Sequence, residues 1–490
     1  MHTLDFIVFY TYLAAVLTVG MLKFRRKQSE KEFFLAGRSF GWFPLGISIM
    51  VTMLTAVNFA AFPAEIFQNG CYVLISLPIF LVVILPISKI FIPFFRRRSK
   101  DSAYAFLEDV FDLKTRCLAS LLFMFWRLVW MAVALYASAR ILAAVTGCSL
   151  WLLILLGGAV TVMYTSLGGL RAVIWTDVAQ FFVLMGGIFV ALILVSATTK
   201  DGFTGIFLHA FEHNVFRPAA PYDPAFFSFD PTIRTTFWSG ALGSLVAFLA
   251  RYGADQMVIQ RYLAAKSLPA ARKGFVFNVI CAFSILLLLV IFGMAMHSYA
   301  VHTDIMGKYS KPLQYMAALI KSLPYGAAGL LAAALLAATM SSVDSGVNAC
   351  SMSWTKDFYH RFFTKSEVDK VHHIRYSVYF SVIIGALIIV LAESFIIIFG
   401  HHHSIFVIFN KVINALGSPL LALVILGMLK RRPGANSVFW GGIGGTIFSV
   451  CTSLFVHNLA LHYYAVANLA ATFAFVYILD FFRGKKNRPA

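Results

Sequence analysis

The chain has 490 residues, 60% of them hydrophobic and only 12% charged, with a formal net charge of +19. A soluble domain carries roughly 25% charged residues, so this composition excludes an ordinary soluble globular protein and points to an all-α integral membrane protein. Strand-like alternation is absent from the sequence, which argues against a β-barrel.

Apolar runs near or above the ~20 residues needed to cross a bilayer recur along the whole length. In chain order they predict thirteen spans at about 4–22, 42–67, 70–95, 117–145, 149–166, 172–197, 235–254, 274–299, 324–355, 374–398, 400–428, 437–457 and 460–482. The first run opens on Met1-His2-Thr3-Leu4-Asp5, without basic residues, and no small-residue cleavage pattern follows. It therefore reads as a retained helix and not a signal peptide. No soluble domain is expected, and residues 1–490 read as one transmembrane unit.

Thirteen spans put the termini on opposite sides of the membrane. The segments 23–39, 96–116, 168–172, 254–274, 355–375, 429–434 and the tail from 480 hold 29 Lys and Arg, against 6 in 198–235 and 300–323. Cytoplasmic loops carry the excess of basic residues, so a multi-pass protein of the cell membrane is expected, its N-terminus extracytoplasmic and its C-terminus cytoplasmic. The basic balance then reflects orientation and the lipid bilayer with its anionic headgroups; no nucleic-acid partner is needed.

The loops carry little chemistry. Six cysteines (Cys71, Cys117, Cys148, Cys281, Cys350, Cys451) lie scattered without paired spacing, which suggests neither a disulfide framework nor a metal cluster. His401-His402-His403 reads as a solvated turn, since three adjacent side chains do not easily face one ion. The stretch 198–234, with Pro218, Pro221, Pro224 and Pro231, reads as an ordered extracytoplasmic loop, and 355–373 as a polar cytoplasmic connector.

Ionisable and polar groups inside the spans are more informative, because burying them in a bilayer is costly. In the run Gly46 to Asn58, Thr55 and Asn58 are polar at i+4 and i+7 from Val51, on one helix face. Arg127 lies about 15 Å into its span at 1.5 Å per residue from Cys117. That depth favours a bidentate partner for a carboxylate over an arginine snorkelling to headgroups. Arg251 and Asp255 are spaced i,i+4 and read as a structural pair or an inner gate. The densest signal is Ala338-Thr339-Met340-Ser341-Ser342-Val343-Asp344-Ser345. Ala338, Ser341, Ser342 and Ser345 share one face with Asp344 beside them, an all-oxygen face suited to a hard cation. A small-residue packing face with hydroxyls bonded back to i−4 carbonyls is the competing reading.

Two motifs, Gly168-Gly169-Leu170-Arg171-Ala172-Val173-Ile174-Trp175-Thr176-Asp177 and Asp255-Gln256-Met257-Val258-Ile259-Gln260-Arg261-Tyr262-Leu263-Ala264-Ala265-Lys266-Ser267, together with the Ser341–Ser345 face, resemble the sodium:solute symporter family. Its members carry sugars, proline, sialic acid, vitamins, choline and iodide. The resemblance covers nearly the whole chain and implies the LeuT-type fold of two inverted five-helix repeats. Here these would be 42–197 and 235–428, with 4–22 preceding and 437–482 following. It also implies a first helix interrupted near Gly46 to Asn58. The principal sodium site would take the carbonyls of Val51, Leu54 and Ala338 and the hydroxyls of Ser341 and Ser342.

Some relatives bind a second sodium between an aspartate matching Asp177 and positions matching Ser341, Asp344 and Ser345. Asp344 departs from the serine of the best-defined such sites. Two facing carboxylates repel, so either a second sodium lies between them, or one is protonated, or Asp344 faces away. Substrate contacts are expected one turn from the sodium carbonyls, at Thr55 and Asn58, with Arg127. Sugar-carrying relatives place a glutamate in the second core span and a lysine in the seventh, whereas 71–85 and 277–297 hold no Asp, Glu or Lys.

The expected function is therefore a sodium-coupled symporter importing a small polar solute, with an organic anion as first choice and a neutral sugar or amino acid as alternative. Sodium is the coupling ion and no cofactor is expected. A transporter-like membrane sensor would add a signalling domain after the last span. An intramembrane enzyme would show a nucleophile–base or metal-ligand pattern, and none is present, so the chain is not expected to be an enzyme.

Overall fold

The computed structural model describes residues 2–22, 29–98, 102–198, 202–215, 225–303, 312–363, 373–399, 405–456 and 458–486. His401 to His403 and most of the proline-rich part of the 198–234 loop lie outside these. We number the principal helices α1 Thr3–Leu22, α2 Trp42–Met53, α3 Ala56–Asn69, α4 Ser76–Arg98, α5 Leu113–Thr146, α6 Leu150–Thr198, α7 Phe237–Gly253, α8 Gln256–Ala264, α9 Leu268–His302, α10 Ala327–Ser353, α11 His373–Phe399, α12 Ile405–Met428, α13 Ala435–Phe455 and α14 Tyr463–Lys486. Among the described residues no strand forms beyond one isolated bridge, in which Phe40 exchanges backbone bonds with Ala264 and Lys266 across 3.3 and 2.9 Å. That bridge pins the start of α2 to the end of α8.

Length and apolarity give fewer spans than the thirteen expected. Nine described helices satisfy both, or ten if the bent pair α2–α3 is one span. The expected spans 149–166 and 172–197 are joined in α6, whose 48-residue stretch Leu150–Ala197 would reach about 72 Å, over twice the hydrocarbon thickness. Gly169 divides them: its φ of +59° interrupts the helix, and a Cβ there would lie 2.7 Å from the Phe33 carbonyl oxygen. The expected span 235–254 is represented by the shorter α7, and 400–428 by α12.

At the centre lies α10, buried on all sides from Leu331 to Ser353. A helix surrounded in this way presents its polar face to protein, where each hydroxyl needs a partner. Against it pack α6, α5, α2 and α1. The last ties its Asp5 carboxylate to the start of α10, accepting from the Gly326 and Gly329 amides at 2.7 and 3.1 Å. Beside them α2 and α9 approach on a glycine pair, where a Cβ on Gly46 would meet the Gly274 carbonyl at 2.6 Å.

Candidate functional site

Two helices break inside the bundle, and both breaks are written in local capping chemistry. In the first, α2 stops at Met53, Leu54 turns extended (φ −101°, ψ 109°), and α3 departs at 65° to α2. An uninterrupted helix would send the Thr55 amide to the Val51 carbonyl. It bonds the Asn58 Oδ1 at 3.1 Å instead, while the Thr55 hydroxyl accepts from the Val57 amide at 3.1 Å. This reciprocal capping box restarts the helix and leaves carbonyls at the end of α2 facing α10.

Those carbonyls meet the serines. The Ser341 hydroxyl donates within 3.1 Å of both the Val51 and Ala338 carbonyls. The Ser342 hydroxyl donates to Thr52 at 2.9 Å and Ala338 at 3.3 Å. Val51, Ala338, Ser341 and Ser342 thus converge as an all-oxygen cluster, with Leu54 at the break itself. Thr55 and Asn58, expected to touch substrate, bond one another; their visible work is to hold the break.

The second break is the counterpart of the first. Here α7 ends at Gly253, and Asp255 becomes the N-cap of α8, its Oδ1 accepting from the Met257 amide at 2.9 Å. Asp255 is fully buried and its other carboxylate oxygen pairs with the equally buried Arg127. This corrects the i,i+4 pairing expected of Arg251 and Asp255. That pairing needs a continuous helix, and the chain leaves the helix between them. Arg127 also lies over the rings of Trp126 (4.5 Å) and Trp130 (5.1 Å), while Arg251 lies over Trp130 from 5.6 Å.

Asp177, Asp344 and Ser345 also come together, with a group the sequence reading counted among cytoplasmic loop residues. Arg261, on α8, is fully buried. Its Nη2 donates to Asp177 (3.1 Å) and to the Ser345 hydroxyl (2.5 Å), and its Nε donates to the Ser48 hydroxyl (2.7 Å). Ser48 in turn donates to Asp177 at 2.5 Å. Asp344 accepts from the Tyr164 hydroxyl (2.6 Å) and from Ser345 (3.0 Å), and Thr52 lies 2.9 Å from Ser345. Two carboxylates and one guanidinium share this buried cluster, and the Asp177 Oδ1 has no hydrogen-bond partner. Asp344 faces the cluster and not away from it. Sequence reasoning missed Ser48, Thr52, Tyr164 and Arg261. The i, i+4, i+7 spacing of Ser48, Thr52 and Thr55 carried a signal for the first two.

Comparison with known proteins agrees with this architecture. The sodium/sialic acid symporter NanT of Aliivibrio fischeri is 26% identical over 458 residues, 93% of this chain and 88% of that one. The sodium-dependent multivitamin transporter of Oryctolagus cuniculus is 30% identical, over 92% of this chain and 72% of that one. The sodium-coupled monocarboxylate transporter 1 of Mus musculus is 29% identical, with the same coverages. A solved substrate-bound outward-open Na+-coupled sialic acid symporter superposes with a TM-score of 0.88 at 24% identity, covering 98% of each chain, which establishes the LeuT-type fold. The profile of the sodium:solute symporter family matches residues 33–445. The chain belongs to the sodium:solute symporter family: it is a multi-pass membrane transporter that couples sodium to the movement of a small solute, and not an enzyme.

Proposed function

We propose that this transporter imports a small organic anion across the cell membrane together with sodium. The observation that carries the anion is the state of Arg127. Its Nε and Nη1 are buried without hydrogen-bond partners, as is the neighbouring Trp126 Nε1. Arg251 adds a second guanidinium over the ring of Trp130, the ring that Arg127 also faces, while the one carboxylate of Asp255 pairs with Arg127. Buried donors without partners are expensive, and a carboxylate on the solute would satisfy them as a charge-assisted pair. The sialic acid and monocarboxylate named for the relatives above are organic acids, which fits. A neutral sugar or amino acid is the alternative.

The carbonyls of Val51, Leu54 and Ala338 with the Ser341 and Ser342 hydroxyls would hold the principal sodium. Asp177, Asp344 and Ser345 would hold a second one, which would neutralise the charge that Arg261 leaves uncompensated and occupy the bare Asp177 Oδ1. Two sodium ions carrying one monovalent anion move one net positive charge, which across roughly 150 mV would supply about 3.5 kcal/mol before any concentration gradient. Thr55 and Asn58 would act by holding the break between α2 and α3 at which sodium binds.

The matched breaks at Leu54–Thr55 and Ala254–Asp255 support inverted repeats at 42–197 and 235–428, flanked by 4–22 and 437–482. The charge asymmetry of the loops supports an extracytoplasmic N-terminus and a cytoplasmic C-terminus, with the lipid bilayer and no nucleic acid as surroundings. Thermal unfolding of the purified protein with pyruvate, N-acetylneuraminate, glucose and proline, each with and without sodium, tests the anion reading. Sodium-dependent stabilisation by the acids alone is expected, and stabilisation by glucose or proline alone would refute it.

A further inference from the structure

Arg261 ties four helices together. Its Nη1 donates to the Met257 carbonyl, one turn back on α8, at 2.8 Å, so the guanidinium is fixed to its own helix. Its Nε reaches Ser48 of α2, and the two hydrogens of Nη2 go to the Asp177 Oδ2 of α6 and to the Ser345 hydroxyl of α10. All of these side chains are fully buried.

Ser345 decides what else can bind there. A hydroxyl has one hydrogen and two lone pairs. The hydrogen goes to the Asp344 Oδ1 at 3.0 Å. The lone pairs then take the Arg261 Nη2 at 2.5 Å and the Thr52 hydroxyl at 2.9 Å, with Thr52 as the donor. None is left for a metal ion. The Asp177 Oδ2 is likewise filled, by Ser48 at 2.5 Å and Arg261 at 3.1 Å, whereas its Oδ1 is bare. A cation can approach that bare oxygen and Asp344, but it reaches Ser345 only by displacing a donor. Like charges repel more strongly in a buried site than in water, so the donor that yields is the guanidinium and not the neutral threonine.

We propose that Arg261 is a tethered cation that takes turns with the second sodium at Ser345. With the site empty, Nη2 holds Ser345, and the two carboxylates are one positive charge short. An arriving sodium takes the Asp177 Oδ1, Asp344 and Ser345, the charges balance, and Nη2 withdraws from α10. Because Met257 fixes the guanidinium to α8, this exchange loosens α8 from α10. When sodium leaves, Nη2 returns, and the buried acceptor is not left without a partner. Binding of the ion and docking of α8 therefore oppose one another. By reciprocity, whatever draws α8 away from α10 strengthens the second site.

The proposal rests on the reading of Asp177, Asp344 and Ser345 as a second sodium site, and its test separates the two. Full-length protein in lipid nanodiscs is titrated with radiolabelled sodium, and amide hydrogen exchange over α8 is followed with and without sodium. Wild type should bind two ions, and sodium should speed exchange at Gln256–Ala264. Asp344→Asn, which keeps only the principal site, should show no such speeding. Arg261→Gln should bind the second ion at least about tenfold more tightly, because its competitor is gone. Its α8 amides should exchange quickly whether or not sodium is present. Removing an arginine that merely supported the site would weaken sodium binding instead. Sodium that slows α8 exchange, or leaves it unchanged, in wild-type protein binding two ions would overturn the proposal, and that measurement needs no variant to fold. Weakened binding of the second ion by folded Arg261→Gln would overturn it too. Wild-type protein that binds one ion only would overturn the second site itself, and the exchange with it.

Discussion

The pair Arg127–Asp255 invites a double-mutant cycle, because stability and anion recognition separate there. Both side chains are fully buried, so removing either partner leaves a bare charge in a dry place, at a cost of about 3–5 kcal/mol. That is roughly a hundred- to several-thousand-fold in the folding equilibrium. Asp255→Asn keeps the α8 cap, since asparagine caps a helix as well as aspartate does, and so isolates the charge. This variant should be strongly destabilised alone, and a carboxylate solute that takes up the freed guanidinium should restore much of the loss. Its stabilisation by the acid should exceed that of wild type. Arg127→Gln should lose both stability and the response to acid. The double variant Arg127→Gln/Asp255→Asn buries no charge and should regain stability without regaining that response. Thermal unfolding in detergent with the acids of the screen reads all four corners. A double variant that binds or transports the acid like wild type would refute Arg127 as the anion partner and leave the pair a purely structural one.

Asp177→Asn and Asp344→Asn should each raise the sodium concentration needed for half-maximal uptake, or lower the number of sodium ions moved per solute. One sodium per solute in wild-type vesicles would dismiss the second site. Thr55→Ala removes the capping box at a cost of about 1 kcal/mol, and should weaken sodium binding by letting the Val51 carbonyl return to the helix; unchanged sodium affinity would contradict that. On the helix Gly202–Glu212, burial and the nearby rings of His213, His297 and His302 bring the His209 pKa down to about 4. Its Nε2 lies 3.0 Å from the His297 Nδ1. The unfolded chain binds this proton more readily, so stability should be full above about pH 6.5 and fall toward pH 4. His209→Gln should flatten that stretch of the unfolding-versus-pH curve.

Much of the site was legible because it is periodic. The spacing of Ala338, Ser341, Ser342 and Ser345 assigned one face of a helix, and the structure brings that face to Val51. Asp344 stood out as a carboxylate within an apolar run, while Asp177 entered through the family resemblance of its motif. What could not be read were partnerships across the chain. Arg261 sits in a segment polar enough to pass for a loop, and its burial follows only once α8 folds back against α2 and α10. Asp255 looked like the helical neighbour of Arg251 because the local marks of the break, Gly253 and the cap Asp255 itself, also fit a continuous span. Its true partner lies on α5. Thr55 and Asn58 were correctly singled out as unusual, but polarity in a span does not distinguish a substrate contact from a cap.

The most direct test of the central claim is sodium binding to Ser342→Ala. Ser342 contributes one of two hydroxyls that face the carbonyls freed at the end of α2. The substitution removes that oxygen without a charge change and with little loss of volume. Radiolabelled sodium binding to the purified, folded variant should be lost or weakened at least about tenfold, which corresponds to roughly 1.4 kcal/mol for one ligand. Sodium affinity equal to wild type in a folded Ser342→Ala protein would contradict the account.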